Sequence, residues 1–153
     1  MEIVPVTSGA NLGHVRALLQ EYWTSFGFTP CFQGFSAELA GLPGAYSPPR
    51  GRLGLAMKDG QPAGCVALCP LEGSFCEARR LFVRHEFRGC GIGRALLEWI
   101  IAEARAAGYR ELRGHTLQVM DRALAMYARH GFERLSPPPP DLPPDAIPLR
   151  LRL

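Results

Sequence analysis

The feature that most restricts how this chain can fold is a strand-like run that feeds a cluster of alternate glycines. Glu77-Ala-Arg-Arg-Leu-Phe-Val83 is followed by Arg88-Gly-Cys-Gly-Ile-Gly-Arg94, and a strongly amphipathic stretch begins at Ile92. Glycines at 89, 91 and 93 remove side chains and let the backbone approach a ligand closely. Free amides and the positive end of a helix dipole at that point favour phosphate. The spacing G-x-G-x-G fits neither the Walker loop nor the dinucleotide fingerprint G-x-G-x-x-G, which also follows a first strand rather than a later one. It does fit R-x-x-G-x-G, from Arg88 to Gly93. A turn used only for tight strand–helix packing is the structural alternative. Arg84, Arg88 and Arg94 are expected to add positive charge around the loop.

The rest of the pattern supplies a sheet and helices around this junction. Glu2 to Val6 reads as a first strand, and Leu12 to Trp23 recur at helical spacing over 12–25 behind a cap at Ser8 or Asn11. A second helix is expected over 35–42. Arg52 to Lys58 and Pro62 to Leu68 read as strands joined by Asp59-Gly60, a strong two-residue hairpin signal. Phe75 to Val83 is the fourth strand, Ile92 to Ala107 the clearest helix, and Tyr109 to Thr116 the fifth strand. A helix over 120–130 ends at Gly131. Phe132 to Leu135 and the alternating Ile147 to Leu153 close the chain as strands. The order β-α-α-β-β-β-α-β-α-β-β predicts one α+β (mixed α/β) domain spanning 1–153. Its sheet is mostly antiparallel, with strands four and five parallel across a right-handed crossover.

Composition narrows the function. The 153 residues carry a net charge of only +3, which supports a locally basic pocket and is too little for a nucleic-acid module using Arg79, Arg80, Arg84 and Arg88. Basic residues other than Lys58 are arginines, and with 14 prolines and 17 glycines this suggests a GC-rich, bacterial source. No signal peptide is visible, and no apolar run approaches the roughly 20 residues of a membrane span. Five cysteines (31, 65, 69, 76 and 90) and no secretion signal predict reduced thiols in a cytoplasmic protein. Cys65, Cys69 and Cys76 lack metal-ligand spacing and are expected as buried thiols, so no metal is expected.

The segment Arg88 to Gly93 resembles the acyl-CoA pyrophosphate loop of the GNAT (GCN5-related N-acetyltransferase) superfamily. Tyr127-Ala-Arg-His-Gly131-Phe132 resembles its Y-x-x-x-G-F signature, and the element order agrees from Ile3 to Leu153. The resemblance implies a GNAT fold and transfer of an acetyl group from acetyl-CoA to an amine by direct attack in a ternary complex. Arg88, Gly89, Cys90, Gly91, Ile92, Gly93 and Arg94 would hold the pyrophosphate. Leu81, Phe82 and Val83 would lie along the pantetheine arm and supply an oxyanion donor. Tyr127 would protonate or hydrogen-bond the leaving sulfur; packing in the core is its other role. Glu77, beside the proposed oxyanion donor, is the favoured general base; pairing with Arg79 or Arg113 is its structural alternative. His115 is a rival base, because its ordinary pKa near 6.5 suits the task. Met120 stands where many members carry Asn, and Phe82 where a tyrosine is common.

The acceptor end is left open. Trp23, Phe26, Phe28 and Phe32 could stack on a cation or fill the core, and Glu21 or Glu38 could meet an ammonium group. Expected partners are a small-molecule amine or a protein amino group, with a homodimer as the assembly. Neither nucleic acid nor membrane is expected. A module of this fold that senses acyl-CoA without turnover is the alternative function.

Overall fold

The computed structural model describes residues 1–25, 34–117, 121–140, 142 and 146–153. Seven strands form one sheet in the order β1-β2-β3-β4-β5-β7-β6. They are β1 (Glu2–Pro5), β2 (Arg52–Lys58), β3 (Gln61–Pro70), β4 (Phe75–Val83), β5 (Glu111–Leu117), β6 (Glu133–Arg134) and β7 (Ala146–Arg152). The helices are α1 (Gly9–Ser25), α2 (Phe35–Gly41), α3 (Ile92–Ala106) and α4 (Asp121–Arg129). All pairings are antiparallel except β4 with β5, as the crossover through α3 requires.

Local chemistry accounts for most boundaries. Asp59 and Gly60 both take positive φ, 52° and 76°, which matches the twist of a two-residue hairpin between β2 and β3. α1 begins at Gly9, earlier than the expected residue 12, because helical spacing marks only its buried stripe of Val15, Leu18, Leu19 and Trp23. β5 starts at Glu111 rather than Tyr109. Tyr109 instead buries its ring and donates its hydroxyl to the Arg50 carbonyl at 2.7 Å.

The sheet has a hydrophobic core on each face. One side packs Leu96, Leu97, Ile100, Ile101 and Ala104 of α3 over Val66, Leu68, Cys76 and Leu112. The other packs α1 and α2 over Leu53, Leu55, Cys65, Ala67 and Phe82. α3 can lie this close because β2 carries no side chain at Gly54, where a Cβ would stand 2.5 Å from the Trp99 ring. Cys65, Cys69 and Cys76 are buried as expected, and burial pushes their thiols up to about 12, 11 and 12. Among the described residues no helix is long and apolar enough to cross a membrane.

Two irregularities shape the centre of the sheet. β4 pairs with β5 only through Phe75↔Glu111, Cys76↔Leu112 and Glu77↔Arg113, after which the strands part. β4 is also bulged against β3: Cys65 faces Phe82 and Ala67 faces Arg79, so Arg80 and Leu81 together stand opposite Val66. Arg80 takes φ 61°, a left-handed conformation uncommon outside glycine. The extra residue reverses the alternation of side chains. Before the bulge Cys76 and Ala78 face α3; after it Leu81 and Val83 do. Phe82 is thereby delivered to the face of α1, where its ring meets Tyr22 edge-on at 5.6 Å. The sequence run R-R-L-F-V carries no sign of this switch.

Candidate active site

Where β4 and β5 part, a cleft of about 820 Å³ opens between them, closed by the start of α3, by α4 and by Tyr22 of α1. Its floor at one end is the glycine loop. Gly89 and Gly91 take φ 80° and 83°, and a Cβ on either would point into open space. Gly91 is the N-cap of α3 and offers no side chain to the first helical amides. Those donors are left for a ligand, and the dipole of a 15-residue helix points the same way. The backbone therefore fits a pyrophosphate group by its own geometry.

The residues expected at the nucleotide-binding end all line this cleft except Cys90 and Arg94. Cys90 is exposed on the outer side of the loop, and Arg94 reaches along its own helix to Glu98 at 3.2 Å. Ile92 is buried and can offer a ligand only its backbone. Arg88 donates its Nε to the Val83 carbonyl at 3.0 Å, which ties the loop to the end of β4. Arg84, expected to add charge here, turns instead to α1 and pairs with Glu21. From Ala78 onward β4 has no strand partner on the β5 side, so backbone groups of Leu81 to Val83 can face the cleft.

Tyr127 lies on the α4 wall of the cleft, half-buried, its ring edge-on to Phe132 at 5.2 Å. The tail of the signature is fixed by Phe132, whose amide donates to the Tyr127 carbonyl at 3.1 Å. Desolvation pushes the Tyr127 phenol up to about 12, with a smaller push from Tyr22. A phenol so shifted holds its proton more firmly than an ordinary tyrosine.

Toward the acceptor end, Glu77, Arg79 and Arg80 of β4 share the α1/α2 side of the sheet with Arg113 and His115 of β5. Glu77 is ion-paired with Arg79 and does not line the cleft; Arg113 pairs with Glu111. His115 does line it. Surrounding protein strips water from the imidazole and lowers its pKa; Arg79 and Arg80 act the same way, and the Glu77 charge opposes them. Glu38, one candidate for an ammonium group, is held by both Arg80 Nε and Nη2, at 3.0 and 2.8 Å. The Arg80 guanidinium lies over the rings of Trp23 and Phe35 at 5.6 and 5.1 Å. Both acceptor-side carboxylates considered from sequence are thus already matched by arginines. Phe26, Phe28, Phe32, Cys31 and Met120 lie outside the described residues.

Tyr22, Thr116 and Arg122 also line the cleft and were not singled out from sequence as site residues. Tyr22 carried only a core signal, as part of the apolar stripe of α1. Nothing in the pattern distinguished Arg122 from any other arginine at the start of a helix.

The acetyltransferase (GNAT) domain family matches this chain over residues 49–134. An uncharacterized N-acetyltransferase of Schizosaccharomyces pombe is 34% identical over 145 residues, covering 94% of this chain and 89% of the relative. An acetyltransferase structure from Streptococcus agalactiae superposes with a TM-score of 0.82 at 18% identity, covering 99% and 98% of the two chains. A GNAT family acetyltransferase from Elizabethkingia anophelis, solved with acetyl-CoA bound, superposes with a TM-score of 0.70 at 23% identity, covering 99% and 97%. The chain belongs to the GNAT family and is an acyl-CoA-dependent acetyltransferase.

Proposed function

We propose that the protein transfers an acetyl group from acetyl-CoA to an amine, both substrates being held together in the split between β4 and β5. The observation that carries this reading is the cleft itself: uncapped amides at Gly91 mark one end, and an imidazole, His115, stands toward the other. The N-acetyltransferase name of the S. pombe relative and the acetyl-CoA in the E. anophelis structure support the choice of donor and acceptor.

The chain's own groups then divide the work. Amides of residues 91–94 and the α3 dipole hold the pyrophosphate. A backbone N–H on the unpaired edge of β4, within Leu81 to Val83, faces the oxygen that gains charge as the amine attacks. A preorganised donor of this kind is worth roughly 3 kcal/mol. A lysine-like amine with pKa about 10.4 is largely protonated at pH 7 and has to lose a proton. His115 accepts it, and the nearby Glu77 charge favours the imidazolium that results. Tyr127 donates a hydrogen bond to the leaving sulfur. With the phenol near 12 and a thiol at about 8.5, complete proton transfer is strongly uphill, so the sulfur leaves as a thiolate hydrogen-bonded by Tyr127 and takes its proton from the bulk solvent at pH 7 once CoA is released.

Thiol release from acetyl-CoA, followed over a panel of amines, tests the reading. Amine-dependent release with an acetylated product detected by mass supports it. Tight acetyl-CoA binding with no release on any amine would favour the acyl-CoA sensor instead.

A further inference from the structure

We propose that the acceptor is an amine that also carries a carboxylate, as amino acids do, and that Arg79 binds that carboxylate. This deepens the acetyl-transfer reading and rests on it for the identity of the amine's partner.

Among the described residues the large cleft is lined by Arg79, Arg80, Arg88 and Arg122 and by no aspartate or glutamate. Three of these arginines have other duties or positions. Arg80 spends its fork on Glu38. Arg88 is at the glycine loop, bonded to the Val83 carbonyl. Arg122 is exposed at the start of α4. Arg79 differs from them. It engages Glu77 through Nε alone, and among the described residues its two terminal nitrogens have no hydrogen-bond partner. Its side chain is 37% exposed, so a ligand can reach it.

Arg79 also lines a second cavity of about 240 Å³, closed by α2 and the turn 42–46. The acid in that cavity, Glu38, is matched by Arg80. A molecule arriving at the junction therefore meets the two unbonded terminal nitrogens of Arg79 and, among the described residues, no carboxylate without an arginine partner. Two free terminal N–H groups in one plane suit a carboxylate, which accepts both at once. A polycationic acceptor finds no counter-charge there and is disfavoured by the arginines. Arg79 and His115 lie on the same side of the sheet, and the charge of one acts on the other. A carboxylate on Arg79 and an amine beside His115 are consequently adjacent, as they are within one small molecule.

The test compares phenylalanine, leucine and lysine with their decarboxylated counterparts phenethylamine, isoamylamine and cadaverine. Binding to the CoA-loaded protein is measured by calorimetry, and turnover by thiol release. The carboxylate-bearing members should be favoured about 10- to 100-fold, the range expected for a charge-assisted contact. Arg79→Gln should reduce that preference to less than about threefold, and Arg79→Lys should keep part of it, since charge remains but the fork is lost. Acetyl-CoA affinity of each variant reports whether it is folded; if Arg79→Gln is not, Arg79→Lys alone must still weaken the preference. Equal treatment of both sets by the parent protein overturns the proposal, as does an undiminished preference in the Arg79 variants. Selective binding of the amino acids, lost in the Arg79 variants, without thiol release would uphold Arg79 as a carboxylate site while overturning these amines as acceptors.

Discussion

Glu77 and His115 lie on one face of the sheet, and the charge of the first raises the proton affinity of the second. That coupling gives their roles opposite signatures. If His115 takes the proton, it must be neutral, and kcat falls as pH drops through its pKa in the ternary complex. Removing the Glu77 charge lowers that pKa, so Glu77→Gln should move the acid limb to lower pH and keep it. His115→Gln should abolish the limb and lower turnover by about 10²-fold or more. An acid limb that vanishes in Glu77→Gln would assign the base to Glu77. Tyr127 carries its own signature. Because desolvation holds the phenol near 12, it should contribute no basic limb below about pH 11. Tyr127→Phe should cost roughly tenfold in kcat, the loss of one hydrogen bond to a charged sulfur. A loss of 10³-fold would mean that the phenol transfers its proton outright.

The glycine loop and the β4 bulge place these residues, and they differ in how far the sequence reveals them. Gly89, Gly91 and Gly93 stand out as a pattern because a close backbone approach tolerates few other residues. Asp59-Gly60 stands out because both positions take positive φ in a two-residue hairpin, and so the β2–β3 hairpin and the entry to α3 are both legible. The bulge is not. Its positive φ belongs to Arg80, whose strain is offset by contacts distant in sequence: a forked bond to Glu38 and two rings beneath the guanidinium. The same holds for Arg84 and Glu21, 63 residues apart, whose pairing overturned the charge expected at the loop. Single-sequence periodicity records which face a residue prefers, not which partner the fold brings to it. Arg80→Ala would leave Glu38, at 18% exposure, without its ion-pair partner. About 2 kcal/mol of stability should be lost. Thermal denaturation should show this as a Tm lower by roughly 4–8 °C. At the loop, Gly91→Ala and Gly73→Ala have similar positive φ, 83° and 66°, with open space around both Cβ positions. Each should lose about 1 kcal/mol from backbone strain alone. Only Gly91→Ala should also weaken acetyl-CoA binding, by about tenfold or more in a calorimetric titration. Equal affinity in the two variants would remove the loop from the binding site.

At the scale of the molecule, the sheet is divided where its function requires an opening. On one side β1 to β4 are joined by antiparallel pairing along their lengths, interrupted only by bulges; on the other β5, β7 and β6 form a second block. Three residue pairs join β4 to β5 within the sheet, while α3 bridges the blocks through its core. A ligand seated in the cleft touches β4, the start of α3 and α4 together, and so spans elements that few backbone bonds connect. Binding should therefore do more than occupy a pocket. A ligand at 100 times its Kd stabilises the native state by about 2.7 kcal/mol. For a chain of this size that corresponds to a Tm increase of roughly 5–10 °C. At equal ligand concentration the increase should appear with acetyl-CoA and with CoA, which share the pyrophosphate and pantetheine arm, and be much smaller with ADP, which lacks the arm and so binds more weakly. Hydrogen exchange should slow at residues 78–83, at the loop 89–94 and along α4 through Tyr127, and stay unchanged at the β2–β3 hairpin around Asp59. Protection confined to the loop would mean that the nucleotide end binds while the β4–β5 opening remains unused, and the proposed path from pyrophosphate to His115 would be wrong.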